Sequence, residues 1–251
     1  GAVSGAAEPV FAFVHVPPAG PPLHGETTDA KALRAAWRGR VAEMRGLIVA
    51  LSAAFDRPGR PQLLVLLGGS GVELGEHPDD PEHLHDTRLR VPFLIGLRHG
   101  GGLPYGEFAT LVQSADLAPT LLDFVDLRST DVRAGDGIDR DGRSLEPLVH
   151  GWTVPPVHDR LFFAGPLEAA VRTQDWKLRA SVDEPWRLRR FEVRLHALDE
   201  DPGERTDLAE GRELGPVGSA LLDALEVRLA RPDAMAAARS GRPTGSGSTV
   251  D

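Results

Sequence analysis

Residues Leu63 to Leu67 read LLVLL, an unbroken apolar run that leads straight into Gly68-Gly69-Ser70-Gly71. A strand with one face in water alternates apolar and polar residues, whereas a strand without alternation has both faces covered. That requirement sets the fold class. Val10 to Val16 (VFAFVHV) and Val91 to Leu97 (VPFLIGL) have the same character, and the first is stopped by Pro17-Pro18, which cannot donate to a sheet ladder. Between Val16 and Leu63, Thr28 or Asp29 can cap a helix running to about Phe55. Its apolar positions Leu33, Trp37, Val41, Met44, Ile48, Leu51 and Phe55 recur at three- or four-residue steps. Strand, helix and strand in this order predict a right-handed crossover in a parallel sheet covered by helices, an α/β fold. Such a sheet needs a large core, which 251 residues at 41% hydrophobic content can supply.

Further along, Ala115 to Val125 (ADLAPTLLDFV) reads as a helix capped by Ser114, and Ser129 to Arg143 as a Gly/Asp-rich loop. From about Asp159 the pattern changes to short runs separated by turn residues: LFFAG, AAVRTQDWKLRAS and RRFEVRLHALD. Runs of this kind in series predict an antiparallel sheet. Pro216 to about Ala238 follows as an amphipathic closing helix, with Leu221, Leu222, Leu225 and Leu229 on its apolar face. The expected organisation is an α/β core over residues 9–158, an antiparallel sheet with its helix over 159–238, and a flexible tail over 239–251.

A formal net charge of −9 argues against nucleic acid as a partner, because neutralising phosphates takes a clustered excess of basic residues. With no cysteine in the chain, disulfides, thiolate metal sites and a cysteine nucleophile are excluded. The opening GAVSGAAEPVFAFVHV has no basic leader, and its apolar run is too short for a signal peptide or a membrane span. The expectation is a cytosolic protein or part of a longer chain.

GGSGVELG could be taken for a phosphate-binding loop. It does not fit G-x-G-x-x-G, however, and the acidic residues after it would repel phosphate. His77, Asp79, Asp80, Glu82, His83, His85 and Asp86 could hold a transition metal through imidazoles. Lacking a helical i, i+4 arrangement, this loop is expected to be a solvated acidic one. His15 reads as a packed or strand-end histidine. Asp199 to Glu204 (DEDPGE) lacks the spacing of a calcium loop, and a solvated turn is expected there.

The order of short motifs carries a resemblance. The chain has FVH at 13–15, GEH at 75–77, RVPFLI at 90–95, SADLAPTLLD at 114–123, DGRSLEPLVHG at 141–151, AVRTQDWKL at 170–178 and LHALDEDPGERTDLAE at 195–210. In their joint order and spacing, these resemble the C-terminal half of a sulfatase of the alkaline-phosphatase-like superfamily. The resemblance implies part of that family's sheet flanked by helices, with a small C-terminal antiparallel subdomain and a closing helix. It also implies a sulfuric-ester hydrolase that uses calcium or a similar divalent cation, and an envelope or secreted setting if the longer protein is exported.

The family's nucleophile motif, C/S-x-P-x-R, and its first pair of metal-binding Asp belong to the N-terminal half, which has no counterpart here. The Asp and the His or Asn of its later metal turn fall on Gly69 and Ser70. A glycine offers no side-chain ligand, and one hydroxyl is a poor substitute for a carboxylate on a hard cation. The side chains left that could serve a residual site are Glu76, His77, His83, His85 and His15. Arg172, Asp175 and Lys177 match the family's hairpin and are expected to make turn and sheet-edge contacts.

The reading is therefore a catalytically impaired sulfatase-like protein, a pseudoenzyme or the C-terminal portion of an enzyme, with no cofactor of its own. An active sulfuric-ester or phosphoester hydrolase completed by another segment is the alternative. An open sheet would be covered by an N-terminal half, a partner chain or a second copy.

Overall fold

The structure, a computed structural model, describes residues 10–16, 29–78, 83–100, 103–126, 142–183 and 187–230. It divides the chain into two units, Gly1–Asp56 and Arg57–Asp251. The first unit holds helix α1 (Ala30–Ala54), whose N-cap Asp29 accepts hydrogen bonds from the backbone of Lys31 and Ala32. Leu33 is buried, while Trp37, Met44, Ile48, Leu51 and Phe55 form a half-buried stripe. Val41, assigned to that stripe from the sequence, is exposed.

The run Val10 to Val16 is not a strand. It meets no ladder among the described residues, and Phe11 and Phe13 are exposed. His15 is exposed as well, not packed between strand neighbours.

In the second unit, β1 (Gln62–Leu67) pairs antiparallel with β2 (Phe93–Arg98). The parallel crossover expected from the sequence is absent among the described residues. After β1 the chain reverses through the glycine turn and the short helix α2 (Asp86–Leu89), returning beside the strand it left. Neither strand is fully buried, and Leu66 lies directly opposite Leu94 with both side chains exposed.

A 3₁₀ turn (Ser114–Asp116) then leads into α3 (Leu117–Phe124). The cap is Gln113 rather than Ser114, because Asp116 reaches back to accept from the Gln113 backbone N–H at 2.8 Å. Asp116 is fully buried, and its carboxylate also accepts from the Arg143 backbone (2.7 Å) and from His158 Nε2 (2.9 Å). Thr120, one turn later, donates to the Asp116 carbonyl and accepts from the Leu145 backbone. The sequence D-L-A-P-T therefore ties α3 to the segment entering α4 (Glu146–Val149). Gly142 has no room for a side chain there, since a Cβ would lie 2.0 Å from the Ala115 carbonyl oxygen.

The last sheet has the order β3 (Leu161–Ala164), β4 (Glu168–Arg172), β5 (Trp176–Asp183), β6 (Arg187–Ala197), all antiparallel, and is followed by α5 (Pro216–Leu229). Side chains alternate across a strand, and the register pairs Val171 with Leu178 and Leu178 with Leu195. Ala169, Val171, Leu178, Ala180 and Leu195 share one face and pack against Leu221, Leu222 and Leu225 of α5. The opposite face, set by the pairs Arg172 with Lys177 and Lys177 with His196, carries Glu168, Arg172, Lys177, Arg179 and His196. Residues 79–82, the loop residues 127–141 and the tail 239–251 lie outside the described residues.

Candidate functional site

Residues 68–75 after β1 contain four glycines, and they are not all glycine for the same reason. A Cβ on Gly68 would lie 2.8 Å from Pro92 Cδ, and one on Gly71 would lie 2.0 Å from the Thr87 carbonyl oxygen. Both are positions where another segment comes too close for a side chain, and Gly71 seals its approach with a 2.8 Å hydrogen bond to the Arg88 carbonyl. Gly75, at φ +85°, takes the left-handed conformation that begins the G-E-H turn. Gly69 is different, because a Cβ there would meet nothing within 4 Å. Packing does not require glycine at Gly69, and it stands exposed beside Ser70.

Past this bare turn, the polar side chains point inward. Glu73 accepts from the His77 backbone at 2.8 Å, from His77 Nδ1 at 3.1 Å and from Thr87 Oγ1 at 2.5 Å. His77 Nε2 donates to the Gly203 carbonyl at 2.8 Å. Its ring stacks on that of His85, with centroids 3.6 Å apart and planes 6° from parallel. His85 Nδ1 faces Glu204 at 3.4 Å.

Lys177 Nζ, fully buried, donates to Asp86 Oδ1 at 2.9 Å and Glu204 Oε1 at 2.8 Å, and Arg172 Nε takes the other Asp86 oxygen at 3.1 Å. Arg179 pairs with Glu168 at 3.1 Å, and Glu168 also accepts from His83 Nδ1 at 2.8 Å and from the Leu84 backbone. The charged face of the C-terminal sheet is therefore met by His83, Leu84 and Asp86 and by Glu204, with His77 bonded to Gly203 beside it. Glu204 holds its place at φ +51°, an unusual backbone for a non-glycine residue.

Burial alone would raise the carboxyls of this network. For Glu73, hydrogen bonds from Thr87 and His77 outweigh it and bring the group from its ordinary 4.5 down to about 2. For Glu204 the same contest is won by His85, Lys177 and the Asp86 backbone, which hold it well below the usual carboxylate range. His196 lies on the same sheet face as Lys177, and burial pushes its ring down from 6.5.

The structure brings His77 and His85 together, sets His83 on Glu168, and leaves Glu76 accepting from the Leu74 backbone at 2.6 Å. The solvated acidic loop expected here is instead a docking segment, with His77, His85 and Asp86 buried. Asp79, Asp80 and Glu82 are outside the described residues. Arg172 and Lys177 are not sheet-edge residues. Glu204, expected in a solvated turn, is buried although its neighbours Asp199 and Glu200 are exposed.

Sequence reasoning missed Glu73, Glu168 and Arg179, and gave Lys177 and Glu204 the wrong surroundings. The available signal was the alternation W-K-L-R-A in β5, which sets two cations on the face opposite Leu178 and Ala180.

A family-type divalent cation does not fit the turn. Its donor set is one exposed serine hydroxyl, and the carboxylates nearby are engaged by Lys177, Arg172, Arg179 and His77. Among the described residues, no group of three His, Asp or Glu side chains is arranged to hold a metal ion. No helix there is long and apolar enough to cross a membrane.

No family model and no curated protein matches the sequence. Solved structures do match the fold. The phosphonate monoester hydrolase of Agrobacterium radiobacter is 21% identical, with a TM-score of 0.54 over 83% of this chain and 42% of that one. The phosphonate monoester hydrolase of Silicibacter pomeroyi is 20% identical, with a TM-score of 0.54 over 80% of this chain and 40% of that one. A protein in complex with its substrate D-glucosamine-2-N,6-O-disulfate is 19% identical, with a TM-score of 0.51 over 76% and 37%. Sulfatases are among the other matches. This chain spans about two fifths of the length of these structures.

Proposed function

We propose, from the premise that the chain carries part of a sulfatase-like fold of the alkaline-phosphatase-like superfamily, that it is a catalytically impaired member acting as a structural or binding module. The observation that carries this reading is the turn itself. Gly68 and Gly71 keep the close backbone approaches that shape it, while Gly69 and Ser70 provide no carboxylate or imidazole at the two positions matching family ligands. The His and carboxylate side chains that follow are engaged in holding residues 73–77 and 83–87 to the C-terminal part of the chain, a scaffold role.

The same reading extends to partners. The exposed pair Leu66 and Leu94 sits on a sheet in which β1 and β2 have only each other as neighbours among the described residues. Such a sheet offers an apolar surface to a further polypeptide or a second copy.

The deciding experiment incubates the chain with p-nitrophenyl sulfate and with an aryl phosphonate monoester, each with and without calcium, alongside calorimetric titration with calcium. No turnover and no heat of calcium binding are expected. Calcium-dependent hydrolysis of either ester would overturn the impaired reading. A monomer in light scattering that does not bind the dye ANS would remove its partner half.

A further inference from the structure

Two polar atoms inside the charged network have no hydrogen-bond partner among the described residues: His196 Nε2, on β6, and Glu204 Oε2, in the turn that follows β6. Both side chains are shut away from solvent, the residues being 2% and 3% exposed. We propose that one water molecule is a built-in member of this network, bridging His196 Nε2 and Glu204 Oε2.

The first support is placement. Lys177 lies directly across from His196 in the register of β5 and β6, and its Nζ donates to the other Glu204 oxygen, Oε1, at 2.8 Å. The His196 ring is anchored through its other nitrogen, Nδ1, which donates to the Thr206 carbonyl at 2.9 Å, two residues beyond Glu204. A carbonyl only accepts, so Nδ1 carries a hydrogen whatever the charge of the ring. Nε2 is then an acceptor in the neutral ring and a donor in the charged one. Water can meet either, so the assignment does not depend on the protonation of this histidine. Burial lowers the ring from 6.5, which makes Nε2 an acceptor at neutral pH.

The second support is what the surroundings admit. Glu204 is held ionised by its partners, so Oε2 only accepts, and two acceptors cannot bond to one another. A group with two hydrogens to give must stand between them. His85 Nδ1 and Arg179 Nε stand off the same Glu204 oxygen at 3.4 and 3.9 Å, longer than the about 2.7–2.9 Å of a charge-assisted hydrogen bond. Water can bridge polar groups held at such a distance. A metal ion or an ammonium would lie beside Lys177 and Arg179, both buried cations, and an anion would lie beside Glu204. A neutral donor of two hydrogens is the chemistry that remains, and ordered water is the usual partner of buried polar atoms that the chain itself leaves unmet.

A crystal structure of the full chain, at a resolution that shows ordered solvent, tests this directly. One solvent peak is expected within hydrogen-bond distance of both His196 Nε2 and Glu204 Oε2. Nuclear magnetic resonance gives an independent reading in solution, with Hδ2 of His196 assigned by through-bond correlation to its own backbone. Hδ2 lies beside Nε2 and away from the exchangeable hydrogen on Nδ1. It should show a cross-peak to water whose sign is opposite in laboratory-frame and rotating-frame Overhauser spectra, as a long-lived buried water gives. A site without a solvent peak, a peak bonded to only one of the two atoms, or His196 Nε2 bonded to a protein group would each overturn the proposal. So would an Hδ2 that shows no contact with long-lived water.

Discussion

The two faces of the C-terminal sheet are both buried, by opposite means. On one, Val171, Leu178 and Leu195 meet three leucines of α5. On the other, a few residues away along the same strands, Arg172, Lys177 and Arg179 meet Asp86, Glu204 and Glu168. The apolar face needs only shape and volume, because the hydrophobic effect is non-directional. On the charged face each cation must find its carboxylate, because a buried charge without a partner is expensive. The helix side therefore tolerates variation in sequence that the loop side does not, and the loop side fixes where residues 83–87 must lie.

The largest test of this contrast is Lys177→Met. Removing this buried cation takes one partner from Asp86, which keeps Arg172, and one from Glu204, which keeps the Asp86 backbone, and losing a single member of a buried pair costs about 3–5 kcal/mol. Leu178→Ala, adjacent and on the apolar face, should cost about 2–5 kcal/mol as a transfer plus cavity effect. Urea unfolding measures both. The sharper comparison adds a Glu204→Leu change. It should recover part of the Lys177→Met loss by removing a carboxylate left without its lysine, and should add independently to Leu178→Ala. If Lys177→Met is as mild as a surface substitution, the charged face is not holding the loop.

Gly71→Ala should break the dock from the loop side. The added Cβ would run into the Thr87 carbonyl, and forcing extra volume into a packed contact costs about 1–3 kcal/mol. Its expected signature is faster amide exchange over residues 73–87, with β4 and β5 still protected at their apolar face.

Much of this was legible in the residues. The LFFAG, AAVRTQDWKL and RRFEVRLHA runs have the period of strands, and Leu221, Leu222 and Leu225 that of a packed helix, because local pattern reflects burial on one face. The polar face was not legible: alternation shows that Lys177 and Arg179 point away from Leu178, but water and a buried carboxylate look the same from a strand. The partners of Lys177, Asp86 and Glu204, come from segments about 91 and 27 residues away, and no local period encodes such a pairing. The parallel sheet was misread for a related reason. VFAFVHV and LLVLL are apolar enough for a central sheet, but apolar runs do not specify which strand neighbours which, and β1 meets β2 instead. At the candidate site, Gly69 and Ser70 could be singled out by register with G-E-H. That Gly68 and Gly71 are glycines for packing reasons needed the positions of Pro92 and Thr87.

The faces should also differ in their response to acid. Glu73 titrates near 2 when folded against an ordinary 4.5. A carboxyl lowered by folding contributes its full stability above the unfolded value and loses it as the pH falls through the folded one. Loss is therefore expected from about pH 4.5 down toward 2, joined by Glu204, which is lowered in the same sense. His196 adds an earlier step: burial lowers its ring, so below about 6.5 the unfolded chain takes up a proton that the folded chain resists. Leu178→Ala should shift the whole stability-against-pH curve downward without changing its shape. Glu73→Gln should flatten the acid limb, and an unchanged limb would refute the charge-based account.

The smallest expected effect is Gly69→Ala, and its value lies in the contrast with Gly71→Ala two residues on. The Cβ enters open space, and the backbone there is not in the left-handed region that alanine resists. Replacing such a glycine narrows the unfolded ensemble and stabilises by about 0.4–1 kcal/mol. Thermal unfolding of the two variants side by side should therefore move in opposite directions. A destabilising Gly69→Ala would mean that this glycine, too, is held by packing, and the turn could then no longer be read as one that kept its shape while giving up its ligands.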